Sequence, residues 1–166
     1  MTTTDDYAAY IASLPRVLAG AAALYRDAEG RVLLVEPNYR EGWTLPGGTI
    51  ESDQDESPRT AARRESAEEI GIDVPLGRLL AVDWSVGPGR PPLAAYLYDG
   101  GVLDAAQLAS VRLQEDELLS WKLVEPAELT TYLDGPLGRR TQEAYRVLES
   151  GEGAVELENG RRPADA

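Results

Sequence analysis

Residues 57–72 carry their own signals for starting and stopping a helix. Ser57 is a natural N-cap and Pro58 suits the first helical position. Gly71 follows Ile70 as a C-terminal stop. Between them, Ala61, Ala62, Ala67 and the glutamates favour the helical state. On such a helix Glu65, Glu68 and Glu69 stand at i, i+3 and i+4, so three carboxylates share one face. Like charges at that spacing cost roughly 0.2–0.5 kcal/mol per pair. A hard divalent cation, which takes oxygen ligands, is the simplest relief. Taken alone, a glutamate-rich helix face is more often an ordinary solvated surface, so the flanking residues decide its meaning.

Composition removes the competing chemistries. The chain has no His and no Cys. It therefore lacks an imidazole base, a thiolate nucleophile, a disulfide and the usual zinc ligands. Sixteen basic against 29 acidic residues leave a net charge of −13, which argues against tracking a nucleic-acid polymer. A small phosphorylated substrate stays compatible, because a bound cation inverts the local sign. Met1–Tyr10 is acidic and polar, unlike a signal peptide. Val17–Tyr25 is too short to span a membrane. The expectation is a cytoplasmic protein with no membrane partner, and a homodimer is left open.

Along the chain, residues 1–15 form an N-terminal extension with a short helix ending near Pro15. Val17–Tyr25 and Arg31–Glu36 read as a hairpin around the turn residues Asp27–Gly30. Trp43–Leu45 is short and extended, stopped by Pro46-Gly47-Gly48. Leu79–Val86, Leu93–Tyr98 and Leu119–Val124 read as further strands, and Ala105–Ser110, Pro126–Leu133 and Leu137–Ser150 as helical. Residues 1–150 are expected as a single domain. Residues 151–166 are expected as a loose tail with at most one short strand, at Ala154–Leu157. Strands before and after a central helix, then C-terminal helices, imply an α/β chain with a mixed sheet covered by helices.

The segment Gly47–Ile72, GGTIESDQDESPRTAARRESAEEIGI, resembles the signature of the Nudix hydrolases. That signature runs Gly, five residues, Glu, seven residues, then Arg-Glu-hydrophobic-x-Glu-Glu-x-Gly-hydrophobic. Arg64 to Ile72 match its second half, and Glu56 stands seven intervening residues before Arg64. Trp43–Gly48 resembles the usual lead-in, and Glu117 to Leu129 the closing strand and short helix. Two departures are visible. Seven residues separate Gly48 from Glu56 where the pattern has five, which places Gln54 at the strict Glu position, and Ser66 replaces a hydrophobic residue.

The resemblance implies an α/β/α sandwich in which the signature forms a loop–helix–loop. It also implies hydrolysis of a diphosphate linkage in a small nucleoside diphosphate derivative with Mg²⁺ or Mn²⁺. Glu65, Glu68 and Glu69 would be the catalytic carboxylates and metal ligands, Glu68 either as a ligand or as the group orienting the water. The Gly48 carbonyl is a further implied ligand. Arg64 would orient this cluster or Glu56. A base or extra ligand from a second loop would be Glu115, Asp116 or Glu117, with Glu117 preferred. Tyr39, Arg40 and Trp84, placed in or beside loops, are candidates for holding a base or a phosphate. Two other readings share these residues: a Nudix-fold binding or regulatory module with little catalysis, and a hydrolase of a non-nucleotide diphosphate. The absence of Phe, with only three Trp, provides no strong aromatic box for a base.

Overall fold

The layering follows from alternation along the first two strands. In β1 (Leu18–Arg26) Ala23 and Tyr25 face one side and Leu24 the other. β2 (Val32–Pro37) repeats this, with Leu33 and Val35 opposed to Val32 and Leu34. Successive strand residues point to opposite faces, so strands apolar at every position need cover on both sides. α2 (Pro58–Ile70) covers the first face, where Tyr25, Val35 and Ile70 share a cluster. α5 (Gly135–Ser150) covers the second, where Ala144 and Val147 meet Leu24, Leu34 and Leu97. The expected α/β/α sandwich with a mixed sheet is the architecture found in the computed structural model, which describes residues 3–164. The first two residues of the expected N-terminal extension and the last two of the expected tail lie outside the described residues.

The remaining elements, in chain order, are α1 (Thr3–Ser13), β3 (Gly47–Thr49), β4 (Leu79–Ser85), β5 (Leu93–Val102), α3 (Ala105–Ala109), β6 (Leu118–Val124), α4 (Leu129–Tyr132) and β7 (Val155–Glu158). The seven-stranded sheet runs β6-β2-β1-β5-β4-β7, with β3 also paired to β1. β1–β5 and β4–β7 are parallel and the other pairs antiparallel. α1 precedes the sheet and leaves Tyr7, Tyr10 and Ile11 exposed. Among the described residues no helix is long and apolar enough to cross a membrane.

Two expectations are corrected. The extended segment is not Trp43–Leu45 but Gly47–Thr49, which includes the expected stop at Gly47-Gly48; Thr44 contributes only an isolated bridge to Val35. Gly47 has φ 151° and lies so close to the backbone of Ala21 and Ala22 that any Cβ would collide there. Absence of a side chain is what lets the strand lie on β1. After residue 150 the short strand expected at Ala154–Leu157 forms one residue along, at Val155–Glu158, and it ties the segment in more firmly than a loose tail. Val155–Glu158 pairs in parallel with Ala81–Trp84, and Leu157 is fully buried. The apolar alternation Val155, Leu157 is only two residues deep, so its partner strand is not visible locally.

Candidate active site

α2 is capped as its sequence demands. The Ser57 side chain accepts from the Thr60 N–H, and Gly71 adopts φ 71° to return its N–H to the last turn. Ser66, in the place of a hydrophobic residue, is fully buried and donates its hydroxyl to the Ala62 carbonyl at 2.7 Å. That local bond satisfies the buried hydroxyl, and α2 runs unbroken through it.

The two-residue insertion is absorbed before α2 begins. Ser52–Gln54 form one 3-10 turn, and Asp55 takes the left-handed conformation at φ 57°. Aspartate is among the few non-glycine residues that tolerate that region. Glu56 then turns back, accepting from the Glu51 N–H at 2.9 Å. Its two oxygens also receive Arg64 as a fork, at 2.8 Å from Nε and 3.1 Å from Nη2. This pairing with Arg64, foremost, holds the Glu56 carboxyl below its ordinary pKa range despite burial.

Arg64 is the hub of the site. Besides Glu56, its Nη1 donates to Glu65 and Glu68, each at 3.0 Å, and its Nη2 to the Thr49 carbonyl at 3.1 Å. A guanidinium with five donors in a rigid plane can hold three carboxylates and a strand in one geometry; a lysine cannot.

Helix geometry separates the three glutamates. Residues four apart differ by roughly 40° around the axis, whereas residues three apart differ by roughly 60° in the opposite sense. Glu65 and Glu69 therefore point into the same cleft, and Glu68 stands at the rim, 52% exposed. The cleft, of about 470 Å³, is also lined by Asn38, Tyr39, Gly47, Gly48, Thr49, Asp116 and Glu117. The Glu117 loop is docked from both sides. The Gln114 N–H donates to the Glu69 carbonyl at the end of α2, and the Asn38 N–H to the Glu117 carbonyl. Asn38 Nδ2 further donates to the Asp116 carbonyl at 2.6 Å.

Glu69 is the most strained charge in the cleft. It is 3% exposed and accepts one hydrogen bond, from the Gly47 N–H at 2.8 Å. Burial first, then repulsion from Glu65, Glu117 and Glu68, pushes its carboxyl up to about 7, against the lowering effect of that bond. Burial also raises Glu65, although Arg64 pulls the other way. Gly48 sits hard against this pair, since a Cβ there would lie 2.5 Å from Glu65 Oε1.

The donor set is suited to a hard divalent cation. It is all oxygen, with mutual repulsion that a cation would relieve. Among the described residues no three acidic side chains close into a preformed cage. An open, partly lined site matches Mg²⁺, which keeps waters and uses one or two carboxylates together with substrate phosphates. Glu65 and Glu69 are placed to hold such an ion, with Glu117 across the cleft.

The structure therefore brings together Glu65, Glu69, Gly48, Glu117 and Tyr39, with Arg64 and Glu68 immediately behind and beside them. It does not bring in two of the substrate-side candidates. Arg40 bonds to the neighbouring Glu41 carbonyl and lines no part of the cleft. Trp84 lies on β4, beyond β5, paired with Ala94 and Glu158, and lines no part of the cleft either. The Gly87–Pro92 breakers follow it closely in sequence, but β4 runs on to Ser85 and pairing on both sides keeps Trp84 in the sheet. Glu115 is likewise outside, while Asp116 lines the cleft. Asn38 and Thr49 also line the cleft, and their only mark in the sequence is adjacency to Tyr39 and Gly48.

A family model for the NUDIX domain matches residues 16–148. The chain belongs to the NUDIX family. Its curated relatives include diphosphoinositol polyphosphate phosphohydrolase 2 of Rattus norvegicus, 44% identical over 57 residues, covering 34% of this chain and 31% of that protein. The chain thus spans about a third of the length of the curated relatives it matches. Among solved structures, the NUDIX domain of Shewanella oneidensis NrtR, complexed with ADP ribose, aligns with a TM-score of 0.68 at 21% identity. That alignment covers 90% of this chain and 99% of that one. A UDP-X diphosphatase aligns at TM-score 0.67 and 19% identity, covering 95% and 76%. At such identities the structural matches establish the NUDIX fold.

Proposed function

We propose that this NUDIX chain hydrolyses a phosphoanhydride bond in a small nucleoside diphosphate derivative, with Mg²⁺ or Mn²⁺ held by Glu65 and Glu69. The observation that carries this reading is Glu69, a buried carboxylate with one hydrogen bond and three acidic neighbours. Such an arrangement costs stability and is explained by a positive ligand. A bound divalent cation would neutralise the diphosphate and make a water more acidic.

The chain's own residues do the rest. Glu65 and Glu69 would hold the ion, and the bare backbone of Gly47 and Gly48 would leave room for the phosphate end of the substrate. Arg64 orients Glu65 and Glu68 while Glu56 holds Arg64 from behind. Glu117, facing Glu69 across the cleft, takes the proton from the attacking water. Tyr39, exposed on the loop after β2, borders the same cleft and contacts the substrate from outside. The substrate is thus a small phosphorylated molecule.

The test is phosphate-coupled turnover of a panel of nucleoside diphosphate derivatives and nucleoside triphosphates with Mg²⁺ or Mn²⁺. Chelation abolishes turnover, and Glu69→Gln lowers kcat/KM by about 10²-fold or more, since even groups that merely support a metal ligand carry 10–100-fold. Full activity in either condition overturns the reading.

A further inference from the structure

The sheet ends in two edge strands, and they are finished differently. β7 is four residues long and carries the exposed Glu156 and Glu158. It is closed off where Glu158 and Arg161 exchange backbone hydrogen bonds. Short length, edge charges and covering chain are the usual ways to keep a strand edge from pairing with another chain. β6 has none of them. It runs seven residues, LLSWKLV, with no proline and no acid. Its one charge, Lys122, is turned over the Trp43 and Tyr132 rings, at 4.0 and 4.4 Å.

The ladder shows which backbone groups of β6 are free. Val35 of β2 stands opposite Trp121, yet it exchanges its N–H and C=O with Thr44, each bond at 2.9 Å. Trp121 therefore has no ladder bond to β2. Opposed residues of an antiparallel pair alternate between bonded and non-bonded. So β6 is bonded to β2 through Ser120, Lys122 and Val124, and the N–H and C=O of Trp121 and Leu123 point outward. Among the described residues no loop backbone pairs with either. The same face of the strand carries an apolar stripe. Trp121 and Leu123 are half-buried beside the α2 cluster, and Leu119 is 63% exposed.

We propose that β6 pairs with β6 of a second copy of this chain, antiparallel and centred on Trp121, joining the two sheets into one. The strand is self-complementary about that centre. Leu119 meets Leu123 of the second copy, the two tryptophans meet each other, and on the opposite face Lys122 meets Ser120. No like charges stand directly opposite within the ladder, which they would weaken. A one-residue slip sets an outward-bonding residue against one already bonded to β2, and a two-residue slip leaves a leucine uncovered. Charge selects the same place. Each chain carries −13, so two copies repel over most of their surface, and β6 is a stretch without a single acid. Glu115–Glu117 and Glu125 flank the ladder, so the pair tightens as salt screens them.

The full chain is sedimented from about 1 µM to about 0.5 mM, the range of a small and weak interface, at low and at high salt. It shows a monomer–dimer equilibrium that high salt strengthens. Leu119→Lys weakens dimerisation tenfold or more, although it reduces the net charge, and thermal melting checks that this exposed substitution leaves the monomer folded. The chain has no Cys, so introduced thiols read the register. Leu119→Cys and Leu123→Cys are treated with oxidised glutathione, singly and mixed. Opposed bonded residues have Cα atoms about 5.5 Å apart, within disulfide reach, whereas like positions are separated by roughly 13 Å along the strands. The mixture gives disulfide dimers joining one variant to the other, at least tenfold faster than either variant alone. A chain that stays monomeric throughout, a dimer that salt weakens or that Leu119→Lys leaves unchanged, or a single variant that crosslinks as fast as the mixture overturns the proposal.

Discussion

Among the carboxylates withdrawn from water in this molecule, Glu69 and Asp83 are treated in opposite ways. Asp83 is completely enclosed and completely answered, by Arg140, the Ser85 hydroxyl and the Gly160 N–H. Glu69 is almost as buried but has one N–H for company and acidic side chains around it. Burying a charge is costly unless it is paired and hydrogen-bonded. The first arrangement is what a structural clasp requires, joining β4, α5 and the chain after β7. The second is what a structure tolerates only where a ligand supplies the missing charge. Burial does not distinguish a structural carboxylate from a functional one; the completeness of its partners does.

The comparison breaks most visibly at Asp83. Asp83→Ala leaves the Arg140 guanidinium half-buried without its anion and should cost about 3 kcal/mol or more of unfolding free energy, read from denaturant melts. A loss below about 1 kcal/mol would mean that the clasp is not structural. Next comes Glu69→Gln, for which the effect on stability has the opposite sign. Removing an unrelieved charge should leave the metal-free protein as stable as before or raise its melting temperature, while turnover falls by about 10²-fold. A clear destabilisation would place Glu69 with Asp83 as a structural group.

Arg64→Lys sharpens the contrast from the side of the partner. The fork to Glu56 and the simultaneous bonds to Glu65 and Glu68 cannot all be made by one ammonium. A fall of about tenfold in kcat/KM with a smaller change in KM is expected from steady-state kinetics, marking an orienting role. The smallest effect is in the pH dependence of the metal-free protein. Glu69 has a folded pKa raised to about 7 above an unfolded value near 4.5. Its folded state binds the proton more tightly, so its contribution is fully present below pH ~4.5 and is lost as pH rises through about 7. Glu56 has a depressed pKa and the reverse behaviour: its contribution is present above the unfolded value and lost on acidification. Melting temperature should therefore fall by about 3 °C or more between pH 5 and pH 8 without metal. Saturating Mg²⁺ or Glu69→Gln should flatten that fall.

The helix-borne half of the site was legible because its information is local. A cap, a proline at the first position, a glycine at the end and glutamates four residues apart all act through one stretch of backbone. The α2 bounds, the buried Ser66 bonded back to Ala62 and the approach of Arg64 to its neighbours belong to that kind of information. The second loop was legible in part: three consecutive acidic residues marked it, but only its docking, through Gln114 on Glu69 and through Asp116 and Glu117 on Asn38, selected Asp116 and Glu117 over Glu115.

Other parts could not be read without the fold. Trp84 and Arg40 looked like substrate contacts because they sit near glycine and proline breakers, yet the strand order puts one at the far side of the sheet and leaves the other facing solvent. Arg140 carried no signal, being one of two adjacent arginines on an amphipathic helix. Its meaning comes from Asp83, 57 residues earlier. The same holds for Gly47, read as a stop and found as a strand. By itself, then, the sequence determined α2, its carboxylate face and the family to which they belong, because backbone periodicity and capping operate over a few residues. The tertiary structure alone decided which carboxylates share a cleft, which buried charge is satisfied and which edge of the sheet stays open. Those depend on strand pairing and packing between residues far apart in the chain, and no short-range pattern encodes them.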